Sequence, residues 1–230
     1  MKSNSKKVKA IILAGGYSRR MNSKIPKQLI KIKGRPILSY SLDVFERCRA
    51  IDGIILVAHK NIMRQCHNLI KKYNYKKIKQ VVRGGKDRQQ SVFNALEEIK
   101  DCDYVIIHDG VRPFVNEEII SRVIKAAFLF GAASAAIRTI DTIVETKGNF
   151  IDAFLCRDRL MNIQTPQAAR FDLLIQAHRK AKKEGINNAT DDAQLLFRLK
   201  RKVKLAEGSR RNIKITKPFD LCLARALLEK

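Results

Sequence analysis

Short runs of apolar residues alternate along this chain with stretches in which apolar residues recur every three or four positions. VKAIILA (8–14), GIILVAH (53–59), IKQVV (78–82), YVIIH (104–108) and SAAIR (134–138) are short, mostly apolar runs, the first of them apolar almost throughout. They read as strands buried on both faces. The segments between them carry the helical period. Ile37, Leu38, Leu42 and Phe45 share one face of a helix with Pro36 at its start. Ile62, Met63, Cys66, Leu69, Ile70 and Tyr73 form a second such face, and QSVFNALEEI a third helix. NEEIISRVIKAAFLF is a fourth helix, capped by Asn116 and stopped by Gly131. Buried strands alternating with helices predict a mostly parallel sheet inside an α/β sandwich.

The period changes after Arg138. TIDTIVETKGNFIDAFL places β-branched residues around a Lys-Gly-Asn turn, which predicts a two-stranded arm at about 139–162. A lone hairpin is marginal in water, so the arm calls for something to pack on, and a second subunit is the natural candidate. Helical periodicity returns in FDLLIQAHRKAKKEG and again in TDDAQLLFRL, for which Thr190 reads as the N-cap. KVKLAEG reads as a strand, and KPFDLCLARALLEK as a final helix. No repeat, linker or low-complexity segment interrupts the pattern, which predicts one domain over 1–230.

Composition narrows the class. The chain has 230 residues, 45% of them hydrophobic and 30% charged, enough for a sizeable core. No apolar run approaches the ~18–20 residues of a membrane span, and the basic, polar opening MKSNSKKVKA lacks the apolar stretch of a signal peptide. The five cysteines include no CxxC pair, and His59, His67, His108 and His178 do not fall at zinc-ligand spacing. Free cysteines in a reducing cytoplasm are the expectation. The net charge of +25 invites a nucleic-acid reading. The charges are spread along the chain, however, without RGG runs or interleaved aromatics. Charge alone therefore favours an anionic ligand of some kind. Motifs must decide between a polymer and a small phosphate, and a basic RNA-binding protein stays the remote alternative.

In an open α/β sheet the ligand sits at the carboxyl ends of the strands. Unusual polar residues follow several of them. AGGYSRRMNSKIPKQ has two glycines and then Arg19, Arg20, Lys24 and Lys27. Gly15 and Gly16 let backbone N–H groups approach a ligand, and the cations suit phosphate. The stretch matches neither a Walker A loop nor GxGxxG. RGGKDRQQS repeats the two glycines and adds Ser91 as a donor for a base. HDGVRPF offers Asp109 as a carboxylate for a metal ion held by phosphates, with Arg112 three residues on. His108 beside it reads as structural. Later come Thr142, Arg157, QTPQ (164–167), Thr190 and Lys214.

These segments, in this order and spacing, resemble the 2-C-methyl-D-erythritol 4-phosphate (MEP) cytidylyltransferases from about Val8 to the end of the chain. The resemblance implies a Rossmann-like three-layer sandwich of the nucleotide-diphospho-sugar transferase type. It implies transfer of CMP from CTP to a polyol phosphate with Mg²⁺, by a homodimer whose arm crosses to the partner. Arg20 and Lys27 match the catalytic cations. Ala14, Gly15, Gly16, Gly85, Ser91, Asp109, Gly110 and Lys214 match the nucleotide pocket. Arg112, Thr142, Arg157 and Thr190 match the polyol-phosphate side. Asp109 is the candidate metal ligand, either directly or only through the CTP phosphates. The nucleophile is already an anionic phosphate, so no general base is required, in keeping with the lack of a Ser-His-Asp set. Gly15, Ser18, Lys86 and Val144 depart from the MEP pattern, Lys86 standing where an acidic residue is frequent. AGG, HDGVRPF and DTIVE also resemble the sister ribitol-5-phosphate cytidylyltransferases, the alternative reading, while the motifs together resemble the MEP family more and imply MEP as the acceptor. A nucleotide-sugar pyrophosphorylase shares the glycine-rich loop, but QTPQ and NIKIT are not expected there.

Overall fold

The computed structural model describes residues 6–16, 21 and 25–229. The chain begins with β1 (Val8–Ala14), β2 (Lys31–Ile32), β3 (Arg35–Pro36), α1 (Ile37–Arg47) and β4 (Gly53–Ala58). It continues through α2 (Met63–Tyr73), β5 (Ile78–Arg83), α3 (Arg88–Glu97), β6 (Tyr104–Asp109), α4 (Glu117–Phe130) and β7 (Ala132–Arg138). β8 (Val144–Lys147) and β9 (Phe150–Phe154) form a separate hairpin, and β10 (Met161–Arg170), α5 (Phe171–Lys183), α6 (Asp192–Arg198), β11 (Lys204–Glu207) and α7 (Pro218–Glu229) complete the fold.

Seven strands form one sheet in the order β11-β7-β10-β6-β1-β4-β5. β1 is parallel to both β4 and β6, β4 to β5, and β7 to β11. Only β10 runs antiparallel to its neighbours. Every residue of β4 and β6 is buried, in keeping with the apolar run of β4 and of the first four residues of β6. Alternate residues of β1 serve opposite layers. Ala10, Ile12 and Ala14 pack with Leu42 and Phe45 of α1 and with α2 and α4, while Ile11 and Leu13 pack with α3, α5 and α6. Each fully buried Ile or Leu contributes ~1.5–3 kcal/mol of hydrophobic stabilisation. α7 folds back, its Ala224 packing with Ile32, Ile37, Val111 and Ile215 in a smaller third cluster.

Helix punctuation follows the sequence in α4. The Asn116 side chain accepts from the Ile119 N–H at 3.0 Å, and Gly131 ends the helix at φ +84°. α6 is corrected by one residue: its cap is Asp191, whose carboxylate accepts from the Gln194 N–H at 2.9 Å. Thr190 instead donates its own N–H to the Gln194 side chain. The sequence reading also missed β10. Its core, QTPQ, is polar and contains a proline, which normally argues against a central strand. The sheet places Pro166 at a register shift between Ile163 and Gln167, and the buried amides and hydroxyl around it are all hydrogen-bonded.

Candidate active site

β1, β4, β5 and β6 run parallel, so their carboxyl ends share one edge of the sheet. The chain moves from β1 outward through β4 to β5, then returns to the other side of β1 with β6. The reversal makes the β1/β6 junction the expected crevice. In register, Leu13 faces Asp109 and Ala14 faces Ala58, so the loops after these strands start level with each other.

A cavity of about 300 Å³ opens at this edge, lined by Gly15, Gly16, Lys27, Gly85, Asp109 and Lys214 among others. The two glycine loops touch backbone to backbone. A Cβ added at Gly84 would lie 3.3 Å from the Gly15 Cα and 3.2 Å from the Ser91 Oγ. Only a residue without a side chain allows this approach without a shift. Ser91 closes the second loop: its hydroxyl accepts from the Gly85 N–H at 3.0 Å and donates to the Asp87 carbonyl at 2.7 Å. Its hydroxyl is thus engaged within the loop at the edge of the cavity. Gly110 is walled in, since an added Cβ would come within 2.6 Å of Leu38.

The first loop is held by Gln28, which is 1% exposed. Its amide donates to the Ala14 carbonyl at 2.9 Å and the Gly16 carbonyl at 3.0 Å. Lys27 and Gln28 begin a short 3₁₀ turn that follows directly on Pro26. The arrangement brings a buried lysine back to the loop that left the sheet at Ala14.

Asp109 is the electrostatic centre. Lys214 Nζ lies 2.8 Å from its carboxylate, Arg88 Nε 3.4 Å and Arg112 Nε 3.8 Å. Burial pushes the carboxyl upward, but the charges of Arg88, Lys214 and Arg112 outweigh it and hold it well below the usual carboxylate range. Arg88 also pairs with Asp192 at 2.7 Å. The backbone N–H of Asp109 donates to Thr165 Oγ1 at 3.0 Å, which fixes the strand end from the β10 side. The lining carries Lys27, Lys86, Arg88 and Lys214 against Asp87 and Asp109, and Asp87 already caps α3 through the Gln90 N–H. The excess of cations suits a polyanion.

The structure thus gathers Gly15, Gly16, Lys27, Gly85, Ser91, Asp109 and Lys214 around one cavity, with Ala14 and Gly110 at the adjoining strand ends. Arg112 does not line it: Nη1 donates to the Asn212 carbonyl at 2.8 Å, bracing the segment that carries Lys214. Thr142 and Arg157 sit exposed at the base of the β8–β9 hairpin, where Arg157 reaches the Ile140 carbonyl at 3.5 Å. Thr190 is exposed before α6. None of these three lines the cavity within one chain. Arg20, with Ser18, Arg19 and Lys24, lies outside the described residues. Sequence reasoning missed Gln28 and Arg88. Arg88 stands within a segment already singled out, but its partners are 21 and 104 residues away.

For a divalent ion, Asp109 supplies one hard oxygen ligand beside the glycine loops. That fits Mg²⁺, which takes one or two carboxylates and completes its shell with water and substrate phosphates. Among the described residues no three His, Cys, Asp or Glu side chains cluster as a protein-only metal site. No helix among them is long and apolar enough to cross a membrane.

The family model described as "IspD: 2-C-methyl-D-erythritol 4-phosphate cytidylyltransferase" matches residues 8–230. A protein of that name from Clostridium novyi is 43% identical over 222 residues, covering 96% of each chain. Another, from Geobacillus thermodenitrificans, is 42% identical over 219 residues, covering 95% of this chain and 96% of that one. Among solved structures, the 4-diphosphocytidyl-2C-methyl-D-erythritol synthase of Anaerococcus prevotii superposes with a TM-score of 0.87 at 34% identity, covering 98% of this chain and 97% of that one. The Francisella tularensis MEP cytidylyltransferase gives a TM-score of 0.80 at 30% identity, covering 96% and 99%.

Proposed function

The chain belongs to the MEP cytidylyltransferase family, and from that premise we propose how its cavity carries out the reaction. The enzyme transfers CMP from CTP to MEP, giving 4-diphosphocytidyl-2-C-methyl-D-erythritol and pyrophosphate. The names of its relatives favour MEP over ribitol phosphate as acceptor. The observation that carries the assignment of roles is the cavity itself: two glycine loops in backbone contact, faced by Lys27, Lys214 and an Asp109 held among cations.

The triphosphate lies along Gly15 and Gly16, whose missing side chains leave the backbone open to it. Cytosine and ribose lie toward Gly85 and Ser91. Lys27 and Arg20 face the α-phosphate, where negative charge grows as the MEP phosphate oxygen attacks. Phosphoryl-type transfer asks the protein for positioning and charge stabilisation, not for a covalent intermediate. Lys27 is only 9% exposed, so its charge acts with little screening from water. Lys214 holds a phosphate and is itself aimed by Asp109. Asp109 would hold a Mg²⁺ ion shared with the CTP phosphates, and the ion would supply neutralisation of part of their charge.

The acceptor binds where a second subunit's arm reaches over this cavity. Phe150, Ile151 and Phe154 of the hairpin are 80%, 59% and 71% exposed, an apolar surface that a partner subunit would cover. Thr142 and Arg157 at the base of the arm then meet the MEP phosphate across the interface, with Thr190 from the host subunit. The compartment we assign is the cytoplasm.

Two substitutions separate these roles. Lys27→Ala should lower kcat by about 10²–10³-fold with the fold intact, the magnitude of one lost electrostatic contact at a transition state. Arg157→Ala should mainly raise KM for MEP. Near-normal turnover of the first variant, or an altered KM for CTP alone in the second, would overturn the respective assignment.

A further inference from the structure

A second cavity, of about 310 Å³, lies between α3 and the carboxyl end of α5, and nothing in the reaction uses it. It shares a wall with the main cavity, because Lys86 and Asp87 line both. Phe93 and His178 supply parallel rings, with centroids 6.2 Å apart and planes inclined by 13°. Lys182 Nζ stands 4.8 Å from the Phe93 ring centre, and Asn94 and Glu97 complete the α3 side. Of the two carboxylates at this cavity, Asp87 is engaged by the Gln90 N–H. Lys86 and Lys182 balance Asp87 and Glu97 in formal charge, and the two ammonium groups are the cationic donors the lining offers to an anion.

His178 makes this more than a surface cleft. The ring is 1% exposed. Its Nε2 lies 3.0 Å from Asp192, while Nδ1 is buried with no hydrogen-bond partner among the described residues. An unsatisfied buried nitrogen costs free energy that a ligand atom can recover. From His178 an unbroken line of pairs runs to the main cavity. Asp192 binds Arg88 at 2.7 Å, Arg88 reaches Asp109 at 3.4 Å, and Asp109 holds Lys214 at 2.8 Å. Arg88 is shared between two carboxylates, so a change at one alters its hold on the other.

We propose that this second cavity is a ligand site for a phosphate carried on a flat apolar group, coupled to the main cavity through His178, Asp192, Arg88 and Asp109. The flat group lies against the Phe93–His178 wall, and the phosphate meets Lys86 and Lys182. The coupling half rests on the CTP reading of the main cavity. Coupling between two sites is reciprocal, so each ligand must change the other's affinity by the same factor.

Phenyl phosphate serves as the probe, followed by ligand-observed NMR on the full chain, with and without saturating CTP and no polyol acceptor. The expected result is binding that persists in CTP, with Kd shifted at least threefold. Inorganic phosphate should bind at least tenfold more weakly. Lys182→Glu, at an exposed position, should weaken phenyl phosphate at least tenfold and leave kcat unchanged. His178→Gln, which removes both the ring and the unpartnered Nδ1, should weaken phenyl phosphate severalfold and lose the CTP-linked shift in the binding that remains. Simple displacement of phenyl phosphate by CTP, or equal binding by Lys182→Glu, would overturn the site. A shift that survives His178→Gln would overturn the coupling route. Since the readout needs no turnover, a failure of CTP itself to bind would count against the main-cavity reading and is seen separately.

Discussion

His108 and Asp109 are neighbours with opposite electrostatic fates. His108 is fully buried, its ring 5.2 Å from Phe45, with Nδ1 paired to Thr165 and Nε2 to the Arg112 carbonyl. Burial above all drives its pKa down to about 3, so it packs as a neutral ring. Asp109 is kept ionised by the cations around it. The consequence for stability has a definite sign. The unfolded chain protonates His108 below pH ~6.5, while the folded protein resists this until about pH 3. Stability should therefore fall as pH drops through that window, by roughly 4–5 kcal/mol in the limit of a fully excluded proton. Asp109 adds a loss of the same sign only below pH ~4, where the unfolded carboxylate protonates. Thermal unfolding between pH 7 and 5 reads His108 together with His59, whose pKa burial also lowers: His108→Gln should flatten the decline relative to wild type, and an unchanged slope would contradict the assignment.

At the level of elements, loops are kept in place by residues from other segments. Gln28 ties the end of β1 to the loop beyond it with two hydrogen bonds from one amide. Among the described residues, removing it leaves the buried Ala14 carbonyl with only the long 3.4 Å contact from the His59 N–H and frees the exposed Gly16 carbonyl to water, a cost of ~1–3 kcal/mol at the buried acceptor. Gln28→Ala should raise KM for CTP about tenfold, the equivalent of ~1.4 kcal/mol, and steady-state kinetics with varied CTP measures it. The β8–β9 hairpin makes the other prediction. Replacing both Phe150 and Phe154 by Ser should shift the mass seen by light scattering from dimer to monomer and raise KM for MEP. A wild-type chain that is already monomeric would refute the arm's proposed role. The strands and helices of the sandwich were legible because burial on both faces or on one stripe writes its period into the sequence. β10 was not: its buried run 164–169 includes the polar Gln164, Thr165 and Gln167, whose partners come from distant segments. The glycine loops and Asp109 were legible as polar residues placed after apolar runs. Arg88, Gln28 and Asp192 act through tertiary pairs that no local pattern announces.

Over the whole molecule, the net charge of +25 remains spread over the surface, while at the main cavity it is organised around one carboxylate. That organisation, at the carboxyl edge of a parallel sheet and between two glycine loops, supports transfer between two anions without a general base. The most direct test is pyrophosphate release from CTP and Mg²⁺, with MEP and ribitol 5-phosphate offered as acceptors side by side. The account predicts rapid release with MEP and a kcat/KM lower by orders of magnitude with ribitol 5-phosphate. Release with ribitol 5-phosphate and none with MEP would contradict it.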